Sequence, residues 1–104
     1  MISLVVQIER FVDEHFPGIV ECALVDAYGI RHEFFEKVPV VTTSDLRSES
    51  LYPQPGYIDC AIEEVLVYDL GRSLVRVSTE TAWSIESVAG ETKFMVLKEQ
   101  IFPG

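Results

Sequence analysis

The run from Ile19 to Val41 constrains the fold most. Ile19-Val20-Glu21-Cys22-Ala23-Leu24-Val25-Asp26 is strand-like. Ala27-Tyr28-Gly29-Ile30 supplies a turn, and Arg31-His32-Glu33-Phe34-Phe35-Glu36-Lys37-Val38-Pro39-Val40-Val41 returns. Two β-rich runs about a short glycine turn predict an antiparallel hairpin, with Gly29 free to take positive φ. Pro39 has no N–H to give to a ladder, which places that end at a sheet edge or a bulge.

Two further hairpins are predicted. Tyr57 to Tyr68 is rich in Ile, Val and Tyr, and Asp69-Leu70-Gly71-Arg72 fits a short turn with glycine in the left-handed position. In Ser73–Thr79, Val75 and Val77 alternate against Arg76 and Ser78, the period of a half-buried strand. Glu63-Glu64 breaks the phase of the preceding strand, and a bulge there restores it. In the last third Trp83 and Ile85 alternate against Ser84 and Glu86. Val88-Ala89-Gly90-Glu91 turns the chain, and Lys93–Lys98 returns.

The N-terminal stretch satisfies two periodicities. Ile2, Leu4, Val6 and Ile8 alternate as in a strand, whereas Leu4, Val5, Ile8, Phe11, Val12 and Phe16 fall at helical spacing before Pro17-Gly18. The β-branched residues of its first half favour a strand over residues 2–12. The connection from Thr42 to Gly56 is long. Ser44 suits the cap of one short helical turn, and Tyr52-Pro53-Gln54-Pro55-Gly56 is expected to be extended and stiff. The expected architecture is all-β and mainly antiparallel. It is a small barrel or sandwich of six to seven strands, with room for one short helix, in a single domain over residues 1–104.

Composition narrows the function classes. With 48% hydrophobic residues in 104, the chain is not of the disordered class. No apolar run approaches the roughly 18 residues of a membrane helix, and the start has no basic region before its apolar residues and no small-residue cleavage site, so no signal peptide is expected. A cytoplasmic protein without membrane partners is expected. The formal charge is −9, from 17 acidic and 8 basic residues. Residues 1–52 hold nine acids and four bases, and residues 53–104 hold eight and four. A negative field so evenly spread repels phosphate backbones, so no nucleic-acid partner is expected. It suits solubility or a basic protein partner.

The strings Phe16-Pro17-Gly18-Ile19-Val20-Glu21-Cys22, Phe35-Glu36-Lys37-Val38-Pro39-Val40-Val41 and Trp83-Ser84-Ile85-Glu86-Ser87, with Phe94 and Val96 after them, resemble a family of small bacterial all-β proteins to which no function is attached. The resemblance covers nearly the whole chain. It implies a bacterial source and carries no site residues.

Reactive side chains are few. Cys22 and Cys60 each lie in an apolar stretch and read as buried small hydrophobes; a disulfide needs their Cα atoms within about 7 Å. His15 and His32 have no partners at metal-ligand spacing, and a metal site needs three or four converging ligands. Cys22 with His32 is a conceivable nucleophile and base, but Glu21 and apolar neighbours oppose the electropositive setting a thiolate needs. Asp59, Glu63 and Glu64 read as a solvated face, since adjacent strand residues point to opposite sides. Gly29, Gly71 and Gly90 are turn glycines outside any phosphate-binding motif, and no cofactor is implied. Trp83 and the six phenylalanines read as core.

This pattern predicts a non-enzymatic binding or accessory protein, acting through a protein partner or by self-association. An immunity-type inhibitor of a basic toxin is one form of it. A small-ligand carrier with an apolar cavity inside a barrel is the alternative from another class, and an enzyme with a dispersed site a third. The candidate partner-binding residues are Tyr52, Pro53, Pro55 and Tyr57. Loops of about fifteen residues are often functional, prolines lower the entropy lost on binding, and tyrosine is enriched at hot spots. The competing structural role for this segment is a plug over the end of the core.

Overall fold

A computed structural model describes residues 2–67 and 72–103. In chain order it comprises β1 (Ser3–Asp13), β2 (Ile19–Val25), β3 (Arg31–Lys37), α1 (Val38–Val41), β4 (Gln54–Asp59), β5 (Ala61–Val67), β6 (Ser73–Ser78), α2 (Glu80–Trp83), β7 (Lys93–Leu97), a 3-10 turn (Lys98–Gln100) and β8 (Ile101–Phe102). The fold is all-β and antiparallel. One sheet runs β3-β2-β1-β4, with β8 paired to the start of β1; the other runs β5-β6-β7. Together the described residues form eight strands, one of them the two-residue β8.

β1 is the hub of the first sheet, and its strand period prevails. Leu4, Val6 and Ile8 are buried, while Val12 and Phe16, which the helical reading placed inside, are exposed. Burial across three partner strands, β2, β4 and β8, outweighs the local helical spacing. The β2–β3 hairpin forms as expected, from Val25↔Arg31 to Ile19↔Lys37. Its turn is built on Asp26, whose Oδ1 accepts from the N–H groups of Tyr28 and Ile30, with Gly29 at φ +81.

The returning strand stops at Lys37, short of Val41. Val38–Val41 instead forms the helical turn α1, packed against β3 and β4, with Val38 and Val41 buried. Pro39 sits in its first turn, where a missing N–H costs nothing, so the expected sheet edge or bulge is not formed there. No helical turn starts at Ser44. Its N–H bonds to Thr42 Oγ1, and Leu46 dips into the core.

The single strand expected over Tyr57–Tyr68 divides at Cys60. β4 pairs with β1, and β5 pairs with β6 in the other sheet. The bulge expected at Glu63-Glu64 is present: Ile62 faces Val77 and Glu64 faces Arg76, leaving Glu63 as the extra residue. Of the expected turn Asp69-Leu70-Gly71-Arg72, all but Arg72 lies outside the described residues. Ser78, expected to face outward, is buried, as is Leu74.

The third hairpin is not formed. Trp83–Glu86 is no strand: α2 ends at Ser84 in the left-handed region (φ +53), and Ile85 turns into the core. Hydrogen bonds from the buried Thr79 hold the connection, its Oγ1 donating to Ile85 O (2.5 Å) and its N–H to Thr92 O (2.8 Å). β7 pairs with β6, setting Val96 against Val75 and Phe94 against Val77. Val88 N–H then donates to Glu33 O on the edge of β3 (2.7 Å).

One apolar cluster joins the sheets, giving a sandwich. Leu4, Ile8, Cys22, Phe34 and Ile58 of the first meet Val75, Val77, Phe94 and Val96 of the second. Phe34 and Phe94 meet edge to face, with centroids 5.6 Å apart. Gly56 lets β4 lie close on β1: a Cβ there would stand 2.7 Å from Ile8 Cγ1.

Candidate partner-binding face

Strand alternation on β4 sends Gly56 and Ile58 inward and Pro55, Tyr57 and Asp59 to the outer face of the first sheet. Val5 pairs with Tyr57, and Ser3 pairs with Asp59 on one side and Phe102 on the other, so these side chains share that face. Tyr57 and Phe102 meet across the row with ring centroids 5.2 Å apart, and they are 36% and 48% exposed. Trp83, 62% exposed, reaches the same place from α2, its indole N–H donating to Asp59 Oδ2 at 2.9 Å. The Ser3 hydroxyl donates to Asp59 Oδ1 at 3.0 Å. Three exposed aromatic residues therefore share this face with the Ser3–Asp59 pair, and one of them, Trp83, is bonded to it.

A groove of about 470 Å³ continues along the same face, its floor formed by Val5, Ala23 and Val25 and one flank by Pro53 and Pro55. Gln100 fixes its end wall: its amide N–H donates to Val25 O, and its carbonyl accepts from Leu97 N–H, both at 2.8 Å. Arg31 borders the groove but is committed to Glu9 (2.9 Å), Glu33 (3.5 Å) and Glu21 (3.8 Å). Among the described residues Glu99 and Asp59 form no ion pair, and neither does Lys98 beside Glu99.

The four candidate residues separate. Pro53, Pro55 and Tyr57 gather on the outer face. Tyr52 packs against the core, its hydroxyl donating to Arg47 O at 2.7 Å, and burial pushes its phenol pKa up. Trp83 and Phe102 were not legible as surface residues. Trp83 was expected inside a strand that does not form. Phe16, Phe35 and Phe102 are also exposed, so reading Trp83 and the six phenylalanines as core holds for Phe34 and Phe94 and fails for these and for Trp83. A second depression, of about 880 Å³, opens between Phe11, Phe16 and the 42–49 connection. Its far wall is loop, whereas the aromatic face stands on paired strands, which hold side chains in place more firmly.

Burial pushes the Cys22 thiol up to about 12, with Glu36, Glu21 and Glu9 adding to the shift. Burial pushes Cys60 up to about 11, so the thiolate form is disfavoured at both cysteines. His32 lies between Asp26 (2.8 Å) and Glu91 (3.2 Å), with its ring edge-on to Phe94, and offers no nitrogen to Cys22. Burial pushes the Asp26 carboxyl up, but hydrogen bonds from His32 and from the Ile30 and Tyr28 N–H groups outweigh it and leave it below the usual carboxylate value. The exposed His15 is raised by its bond to Asp13. Glu63 and Glu64 turn to different cations, Lys93 and Arg76, each at 3.3 Å. Among the described residues no three His, Cys, Asp or Glu side chains are placed to hold a metal ion, and no helix is long and apolar enough to cross a membrane.

Comparison of the chain with models of protein families, with curated proteins and with solved structures returns no match.

Proposed function

We propose that the chain is a non-enzymatic binding protein whose partner, a basic protein, docks on the aromatic outer face of the first sheet. The observation that carries this reading is the cluster of Tyr57, Phe102 and Trp83, all well exposed on one strand-built surface. Aromatic side chains are enriched in interface cores, and contiguous exposed apolar area of this kind marks interaction sites. The prolines beside it add contact area with little entropy to lose. The charge of −9, with Asp59 and Glu99 free of cations among the described residues, selects a positively charged partner and speeds its encounter. Inhibition of a basic toxin is the narrower form of this reading.

The test places a benzophenone amino acid at position 102 and, in a second variant, at position 65, and irradiates cells that contain the chain. The expected result is one discrete cross-linked species from position 102, which mass spectrometry identifies as a basic protein and which Tyr57→Ala suppresses. A smear, or no adduct from position 102, overturns the reading.

Self-association is the second reading, favoured by β5. Among the described residues this strand pairs only with β6, and Ile62 and Val65 on it are 45% and 60% exposed. The bulge and the two glutamates blunt that edge, as bulges and charges do on natural edge strands. An adduct at twice the chain mass from position 65 would favour it.

A further inference from the structure

We propose that Asp59, framed by Trp83, Tyr57 and Phe102, receives an arginine side chain of the partner, an assignment that rests on the reading of this face as a partner surface. Asp59 ends β4 on the outer face. Both donors it accepts from, the Ser3 hydroxyl and the Trp83 indole N–H, are neutral. A carboxylate has roughly four acceptor positions, so about half of its capacity is left for a ligand. Its charge is uncompensated: the ion pairs formed among the described residues use Glu9, Glu21, Glu33, Glu63 and Glu64 on the strands and leave Asp59 out.

The surroundings specify the cation. Ser3 is 7% exposed beneath the Asp59–Ser3–Phe102 row, so its hydroxyl orients the carboxylate without competing for the outer side. The bond from Trp83 places an indole directly beside the carboxylate, and Tyr57, two residues before Asp59 on the same face of β4, meets Phe102. A negative charge among aromatic rings suits a cation held by ring and carboxylate together. Guanidinium fits this better than ammonium. Its planar fork bonds a carboxylate at two points and stacks on ring faces, and it sheds water more readily.

Trp83 is the single tryptophan, so its emission and its indole N–H resonance report on this site alone. The probe is an acetylated, amidated tetra-arginine peptide, with tetra-lysine for comparison, titrated into the full chain near physiological ionic strength. The expected result is a saturable change in Trp83 emission, with the arginine peptide binding more tightly. Asp59→Asn and Phe102→Ala should each weaken binding by about two- to fivefold, the range of an exposed ion pair and of an exposed cation–aromatic contact respectively. Glu14→Gln removes the same charge beyond the far end of β1 and should leave binding unchanged. Phe102→Ala lies in the short β8 and removes no buried core residue, so it tests the site even where Asp59→Asn folds poorly. No change at Trp83 at saturation, or equal weakening by Glu14→Gln, overturns the arginine site. A cross-link from position 102 that forms equally well with Asp59→Asn overturns the arginine site and leaves the partner face standing. Absence of any cross-link from position 102 overturns the face itself.

Discussion

Burial separates Tyr52 from Tyr57, although both flank the same two prolines. Tyr52 packs against the core and anchors the 42–53 connection through Arg47 O, whereas Tyr57 faces outward with Phe102. Tyr52→Ala should therefore destabilise the fold by about 1–3 kcal/mol, lowering the melting temperature by several degrees or more in a chain this size. Tyr57→Ala should shift it much less while weakening partner capture. Calorimetric melting curves of the two variants check this, and a Tyr52→Ala melt equal to wild type would show that its packing contributes nothing. At this scale the sequence was informative where alternation is strict. Leu4, Val6, Ile8, Val75 and Val77 face inward as their spacing requires. It was silent where exposure depends on distant partners. Phe102 is a surface residue because β8 pairs at the end of β1, and nothing near position 102 encodes that pairing.

The β2–β3 turn shows how one element is tied to another. Asp26 caps the turn, bonds His32, and His32 also faces Glu91 in the connection before β7. The Asp26 carboxyl lies below its ordinary value in the folded chain, because hydrogen bonds to the ionised form outweigh burial. A depressed carboxyl contributes stability that is present above its unfolded pKa and is lost as pH falls through the folded one. Acidification below about pH 4 should therefore loosen this turn. Asp26→Asn should be less stable at neutral pH and should lose less stability than wild type on acidification. Melting temperatures recorded from pH 7 to pH 3 measure both slopes, and parallel curves would show that Asp26 makes no such contribution. Elements were legible where local chemistry decides them: this turn, and the bulge at Glu63. α1 and α2 were not. Val38-Pro39-Val40-Val41 has strand propensity, but burying Val38 and Val41 between β3 and β4 overrides it. Trp83–Glu86 alternates like a strand, yet Thr79 holds Ile85 from inside the core through both its hydroxyl and its carbonyl, and Ser84 N–H closes on Glu80 O.

For the whole molecule the sequence conveyed the class, all-β, but not the way two sheets share one core. The crossing at Cys60 divides one apparent strand between them, and Cys60 N–H donates to Ile2 O, 58 positions away in the chain. Such pairings are non-local, and hairpin signals describe only neighbours. Charge, by contrast, is fully legible from sequence. The net charge is −9, and among the described residues five of the eight cations are ion-paired: Arg10 with Glu21, Arg31 with Glu9, Arg47 with Asp45, Arg76 with Glu64 and Lys93 with Glu63. Phosphate contacts by free lysine and arginine supply most non-specific affinity for nucleic acid. The exposed rings on this face do not alter this, because a stacking surface for single strands works together with a basic groove, and the group bonded to Trp83 here is a carboxylate. The chain should therefore show no appreciable binding to random-sequence single- or double-stranded DNA at physiological salt. Fluorescence anisotropy of a labelled oligonucleotide measures this directly. Micromolar binding that falls steeply as salt rises would mean that cations on this surface are released from their carboxylates to meet phosphate, contrary to the ion pairing described above.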